Sequence, residues 1–506
     1  MSKPPPNSSN QSAESSIKGI LEWLALAHGR NGNEDTEQLH QQLQTLRAAA
    51  VPTAQRQKLL DLLFSQAERI VNTDLLALRE ISLPVSRKLR QRIRATLEML
   101  GTLTQDYFNT LADLFDPHNT VSPRPPQGAL RRVMLCLNWQ IQISYLVASP
   151  TILGVWQQLH AAFRTAQRLG LSHSAPVRDG LSISQIYTNA LLAAIAQPAS
   201  FSSRELSFIN SYIAVCNHAL ELSSEPDPIK GDNSIFWIDL DKDAPAHALI
   251  RRLPSAESPT LYFSCAAVTE LAMHHLRELR SGATASSLGL PAFAETRTGK
   301  AVLKRLVELW GRPAKRKFPR RRQSYRVHFC AGLESLWQLM KHPESTTALS
   351  EWMVTNESPD GYALMHMSGH TRNLEVGDIA ALQPIGERAE AVPLWHVCIV
   401  RWALSENPEH IELGLQLLAS RAVAAEIAQP FDLDSPSISA LILPETPPLR
   451  PSQALIVPTG ALGDAKHKII VLVESDNLAI REVRTTSIEE QTSSIEVFSV
   501  SPDETP

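Results

Sequence analysis

The chain predicts a multidomain α+β protein: a helical N-terminal region, a small α/β section and, beyond it, strand-patterned sequence that ends in a C-terminal β-rich region. Three observations carry this. At 506 residues the chain is longer than one ordinary domain, and about two to four domains are expected. Its composition, 43% hydrophobic and 20% charged, is that of a globular protein. The hydrophobic period also changes near residue 230, from helical spacing to short strand-like runs.

Residues 1–16 are rich in Ser, Pro and Asn and read as a disordered tail. Residues 17–230 read as a helical scaffold. Within it Leu59, Leu60, Leu62, Leu63, Phe64 and Ile70 cluster at helical spacing, and Leu89 to Leu100 forms a basic amphipathic helix whose arginines are expected on a solvated face. Pro123 to Pro126 breaks the pattern, and Ser202-Ser-Arg-Glu205 is a capping box that opens a further helix. The stretch Pro226–Asp232 is a linker.

Residues 231–315 read as a small α/β section with a basic linker: strands at Ile235–Leu240 and Thr260–Ser264, helices at Ala266–Arg280 and Leu303–Trp310. Gly299-Lys300 lacks the preceding glycine of a phosphate-binding loop. Residues 424–506 open on a proline-rich joint at 429–452 and continue with strands at 454–457, 468–473, 479–483 and 495–500.

Net charge is −4, which excludes a general nucleic-acid binder. Against that balance, residues 311–326 carry eight Lys or Arg and no acid. A charge so local implies a local anionic partner. The five cysteines are far apart and odd in number, which argues against a disulfide framework or a zinc site and for a reducing cytoplasm. There is no apolar signal core and no run of roughly eighteen apolar residues, so the reading is a cytoplasmic protein without a membrane span.

No catalytic set persuades. His366 and His370 have the spacing of zinc ligands on a helix, but Gly369 and the surrounding β pattern oppose a helix. His274 and His275 are adjacent and point to different faces. Asp239 and Asp241 end a strand and suit a turn. The expectation is a non-enzyme with no catalytic residue, no metal and no cofactor.

Two motifs carry the functional reading. Arg322-Gln-Ser-Tyr-Arg326 ends the basic run, and Asn356-Glu-Ser358-Pro-Asp-Gly361 follows about thirty residues later. Behind them come Tyr362–Met367 as a strand, Leu374-Glu-Val-Gly377 leading into Asp378–Leu382, His396-Val-Cys-Ile-Val400-Arg401-Trp402, and Gly414–Leu418. In order and separation this series resembles the PilZ domains, bacterial receptors for cyclic di-GMP, over residues 316–423.

The resemblance implies a PilZ-like six-stranded β-barrel and cyclic di-GMP as ligand, bound by Arg321, Arg322, Arg326, Asn356, Ser358 and Gly361. The chemistry fits that ligand. Its two phosphodiesters call for guanidinium groups, which fork onto phosphate oxygens and lie flat on purines. Asn and Ser side chains suit a guanine edge. Gly361 is expected to take a positive φ in a Pro359-Asp360 turn, with the arginines on a loop that is mobile until ligand orders it. One departure is present: Leu333, Leu336, Leu339 and Met340 have helical spacing where the family continues in strands, which predicts an inserted helix at the barrel edge.

The expected function is a signalling receptor. Ligand binding would alter the contact of the helical N-terminal region with an unidentified protein partner, and the family's outputs are motility, biofilm formation and surface-structure assembly. The alternatives are a nucleic-acid-binding adaptor, with 311–326 as a phosphate arm and Phe318 and Tyr325 stacking on bases, or a degenerate PilZ module that only mediates protein contacts.

Overall fold

The computed structural model describes residues 8–502 except 27–31, 116–125, 174–179, 226–232, 314–317, 343–348, 370, 372, 387–393, 408–409, 429–436, 446, 448–449, 451, 463–468 and 475–479. The architecture is multidomain α+β. The N-terminal part is α1 (Ser8–Leu26), α2 (Gly32–Ala48), α3 (Thr53–Ala77), α4 (Arg87–Phe115), α5 (Gln127–Leu146), α6 (Val155–Arg168), α7 (Ile183–Ile195) and α8 (Ser203–Cys216). Of the residues expected as a disordered tail over 1–16, Ser8 onward belong to α1; residues 1–7 lie outside the described residues.

Helix α5 is the hub. It is buried on nearly every face, through Val133, Leu137, Trp139, Ile141 and Ile143, and α3, α4, α6, α7 and α8 pack around it. Helices α7 and α8 both start with complete capping boxes, Ser182 with Gln185 and Ser202 with Glu205. The basic helix α4 differs from its expected solvated face. Arg92 pairs with the buried carboxylate of Asp74, Arg90 reaches into the first barrel, and Arg94 remains on the surface beside Glu98.

The middle section is β1 (Ile235–Asp239), β2 (His247–Ala248), β3 (Thr260–Ser264), α9 (Ala266–Ser281) and α10 (Arg297–Gly311), with an antiparallel sheet in the order β2-β1-β3. It shares one continuous core with the helices. The Tyr212 hydroxyl meets His275 Nδ1 at 3.0 Å, and His160 lies between the Tyr187 hydroxyl (2.7 Å) and the Ala244 carbonyl (3.0 Å). Asp239 has the expected turn role, accepting from the Asp241 amide at 3.1 Å.

Two closed barrels follow. The first is β4 (Arg321–Ala331), α11 (Leu333–Lys341), β5 (Ser350–Ser358), β6 (Gly361–Ser368), β7 (Ile379–Pro384), β8 (His396–Asn407) and β9 (His410–Ala419), with strands in the order β4-β5-β6-β9-β8-β7. The second is β10 (Val423–Ala428), β11 (Ile438–Leu443), β12 (Ala454–Pro458), β13 (Ile469–Glu474), β14 (Ile480–Gln491) and β15 (Ile495–Pro502), in the order β10-β11-β12-β15-β14-β13. Numbered within each barrel, both orders are 1-2-3-6-5-4. The C-terminal β-rich region is thus a barrel of its own that repeats the first one's topology. The proline-rich joint expected over 429–452 contains a barrel strand, β11.

The inserted helix is present as α11, and its place explains it. It packs between the barrels, burying Leu336, Trp337 and Leu339 against Ala424, Leu441 and Leu443. Polar contacts flank it. Lys341 pairs with Glu426 at 2.7 Å, Thr492 donates to the Gly377 carbonyl at 2.9 Å, and the Ser494 hydroxyl donates to Asp378 at 2.6 Å.

The first barrel is also tied to the helices. Leu83 and Leu374 exchange backbone hydrogen bonds of 2.9 and 3.0 Å. The fully buried Ser405 donates its amide to the Ala148 carbonyl at 2.7 Å and accepts on its own carbonyl from the Ser149 hydroxyl at 2.8 Å. Among the described residues, no helix is long and apolar enough to cross a membrane.

Candidate ligand site at the barrel rim

The two motifs meet on neighbouring strands. In the β4–β5 ladder Arg321 stands opposite Glu357 and Arg322 opposite Asn356. A bulge between Arg322 and Tyr325 shifts the register, after which Arg326 stands opposite Met353. The arginines were expected on a loop that is mobile when empty. Arg321, Arg322 and Arg326 instead belong to a paired strand, with exposed side chains. Tyr325, Val327 and Phe329 supply the β-favouring aromatic and branched residues that hold this strand against β5. Lys315, Arg316 and Lys317 of the basic run lie outside the described residues.

Two acids lie along this strand pair. Glu357 accepts from the Tyr325 hydroxyl at 2.9 Å and from Gln323 Nε2 at 3.1 Å, and Glu351 lies 3.9 Å from Arg326. Burial, together with the carboxylate to which it donates, pushes the Tyr325 phenol well above its ordinary range. Sequence reasoning did not single out these two acids, although Glu357 stands inside the second motif.

Asn356 is partly buried, and its Oδ1 is shut off from solvent without a hydrogen-bond partner. Ser358 closes the hairpin opposite Gly361, its hydroxyl shared between Asp360 Oδ1 (2.6 Å) and the Gly361 carbonyl (3.3 Å). Gly361 does not adopt the positive φ expected of it. Glycine is required there for room: a Cβ would fall 2.0 Å from the Leu415 carbonyl oxygen on β9. Gly361→Ala is therefore expected to push β6 and β9 apart and destabilise the barrel by about 1–3 kcal/mol, the usual cost of overpacking. A thermal melt checks this, and an unchanged Tm would show that β9 yields freely.

A groove of about 340 Å³ opens beside this hairpin, lined by Ser358, Asp360 and Gly361 together with Phe318, Arg320 and Trp402. Of the six expected ligand residues, Ser358 and Gly361 line it; Arg321, Arg322, Arg326 and Asn356 stand on β4 and β5 outside its lining. Trp402 is partly buried against Gly414, where a Cβ would fall 1.7 Å from its Nε1, and it also faces the groove. Its neighbour Arg401 forks onto Glu490 of the second barrel at 3.0 and 2.6 Å. The arrangement offers guanidinium groups on one strand, a short amide and a hydroxyl on the next, and an aromatic wall.

The histidine pair does not form a helical zinc motif. His366 lies on β6 with its ring against Trp352, and His370 lies outside the described residues.

Residues 18–227 match the family model of the N-terminal domain of the cyclic-di-GMP receptor FimW, and residues 338–423 match that of the receptor's middle PilZ domain. No curated protein matches the chain. The second match begins inside α11, downstream of the arginines, yet β4 is an integral strand of the same barrel. The barrel of β4 to β9 is a PilZ domain, and the chain belongs to the PilZ-domain family.

Proposed function

We propose that this protein is a cytoplasmic, non-enzymatic receptor for cyclic di-GMP. The observation that carries the reading is the register of Arg322 opposite Asn356, beside the Ser358–Gly361 hairpin and its groove. Arg321, Arg322 and Arg326 hold the phosphates. Asn356 and Ser358 take a guanine edge. Trp402 walls the base. Glu351, 3.9 Å from Arg326, gives way there to a ligand phosphate. The match to two domains of a cyclic-di-GMP receptor supports the ligand assignment.

Coupling follows from the attachments of the barrel. Strand β8 carries Trp402 at the groove and Ser405 at the helical junction, three residues apart, so a shift at one is felt at the other. The helical region then presents an altered surface to a protein partner, with motility, biofilm formation or surface-structure assembly as the output.

The test is calorimetric titration of the full chain with cyclic di-GMP beside GTP and cyclic di-AMP. Selective binding of cyclic di-GMP, roughly micromolar or tighter, supports the reading. Binding that is indifferent to the base and falls steeply with salt would replace it with a polyanion-binding arm.

A further inference from the structure

Two cations line the groove at the barrel rim, Arg320 and Arg401, and neither is among the arginines expected from the motifs. One acid lines it with them, Asp360, whose carboxylate accepts from the Ser358 hydroxyl at 2.6 Å. Arg401 reaches the groove through an irregularity of its strand. Successive residues of a regular strand point to opposite faces, yet Arg401 and Trp402 are adjacent and both line the groove. The β8–β9 ladder explains this. Val400 stands opposite Leu415 and Trp402 opposite Gly414, so Arg401 is the unpaired residue of a β-bulge. Bulges re-aim a side chain in this way.

Each nitrogen of the Arg401 guanidinium is engaged. Its Nε donates at 2.6 Å to Gln416, which also lines the groove, and its terminal nitrogens fork onto Glu490 of β14 at 3.0 and 2.6 Å. Strand β14 bulges there too: Glu489 is unpaired between Ile488 and Glu490, and is itself held by Arg450 at 3.0 Å. The Arg401–Glu490 pair stays open to solvent, with side-chain exposures of 31% and 27%, so a dissolved anion can reach it. Arg305 of α10 lies within electrostatic range of both partners, attracting Glu490 and repelling Arg401. It supplies Glu490 with a second cation and disfavours Arg401 at the same place.

A phosphodiester and a carboxylate each offer two oxygens to a guanidinium fork. Exchanging one for the other preserves the charge pairing and both hydrogen bonds of Arg401. We infer, on the receptor reading above, that Arg401 is a further cyclic di-GMP-binding residue of this rim, and that a ligand phosphate in the groove takes it from Glu490 of the second barrel. Gln416 keeps its hold on Nε and fixes the guanidinium at the groove wall. The ion pair between the barrels therefore lowers ligand affinity, and ligand weakens that tie by the same factor. Occupancy of the rim thereby bears on the second barrel.

The experiment is calorimetric titration of the full chain with cyclic di-GMP at one ionic strength, with Arg401→Gln and Glu490→Gln beside the unaltered protein. Both substitutions break the same ion pair, so a purely structural role shifts affinity in the same direction in each. Competition shifts it in opposite directions. Arg401→Gln is expected to weaken binding about tenfold or more, as the loss of a charged partner does. Glu490→Gln is expected to tighten it about threefold or more, because Arg401 no longer has to be freed from a competing carboxylate. Arg401→Gln that binds as the unaltered protein does, or Glu490→Gln that binds no more tightly, would overturn the inference and leave the receptor reading in place. An unaltered chain that takes up no cyclic di-GMP would remove both.

Discussion

Arg322→Ala is expected to weaken cyclic di-GMP binding by about 2–4 kcal/mol, the usual cost when one member of a desolvated charge pair is removed, or roughly 30- to 1,000-fold in Kd. The change is clean because the arginine is exposed in the free protein and its strand is held by backbone pairing to β5. An exposed substitution of this kind shifts stability by no more than about 0.5 kcal/mol, so the melting curve stays in place while binding is lost. Asn356→Ala, directly opposite, is expected to lose about 1–2 kcal/mol, since it removes a single hydrogen-bonding group. Ser358→Ala carries a mixed cost, because its hydroxyl also braces the hairpin through Asp360 and Gly361. Calorimetry on the three variants at one ionic strength measures the series. If Arg322→Ala and Asn356→Ala both bind as the unaltered protein does, the pocket is not at this rim.

Much of this was legible in the sequence, and the reasons differ from element to element. The capping box at Ser202–Glu205 is a local signal with a local cause, and it opens α8 as read. The motif pair was legible because two strands joined by a register put Arg322 beside Asn356 from thirty-odd positions away. What the arginines rest on was not. A run of like charges reads as a loop, whereas Arg321, Arg322 and Arg326 stand on a strand held by backbone pairing to β5, with their side chains exposed. Gly361 was identified for the wrong reason: a turn suggests φ freedom, whereas the constraint is the Leu415 carbonyl of a strand fifty residues on. The repeat of barrel topology left no sequence trace. Strand order is fixed by tertiary pairing, and the second barrel's β11 hides among prolines, where a strand is not expected.

The helix that interrupts the PilZ pattern gives the second large effect. Trp337→Ala is expected to destabilise the protein by about 3–5 kcal/mol, the range for truncating a buried aromatic side chain. The indole is 8% exposed, sits among Leu336, Leu339, Ala424 and Leu441, and donates its Nε1 hydrogen to the Ala425 carbonyl at 2.8 Å. The Lys341 ammonium lies 4.2 Å from its ring while pairing with Glu426, so the substitution loosens that contact as well. The loss should be local. Helix α11 follows the Ala331 end of β4, whereas Arg321 and Arg322 occupy the other end, about 30 Å away at the rise of a strand. Hydrogen exchange is therefore expected to accelerate across β10 to β15, and cyclic di-GMP affinity should change by less than about threefold. Trp337→Phe, which keeps most of the buried area and loses the N–H, should cost only about 1 kcal/mol more than its lost volume, the worth of one hydrogen bond. Exchange that accelerates instead around Asn356 and Ser358 would make the helix part of the ligand site's edge. Unchanged exchange everywhere would leave the barrels held by Arg401–Glu490 and Thr492–Gly377, polar contacts at the rim of the junction that do not need the indole.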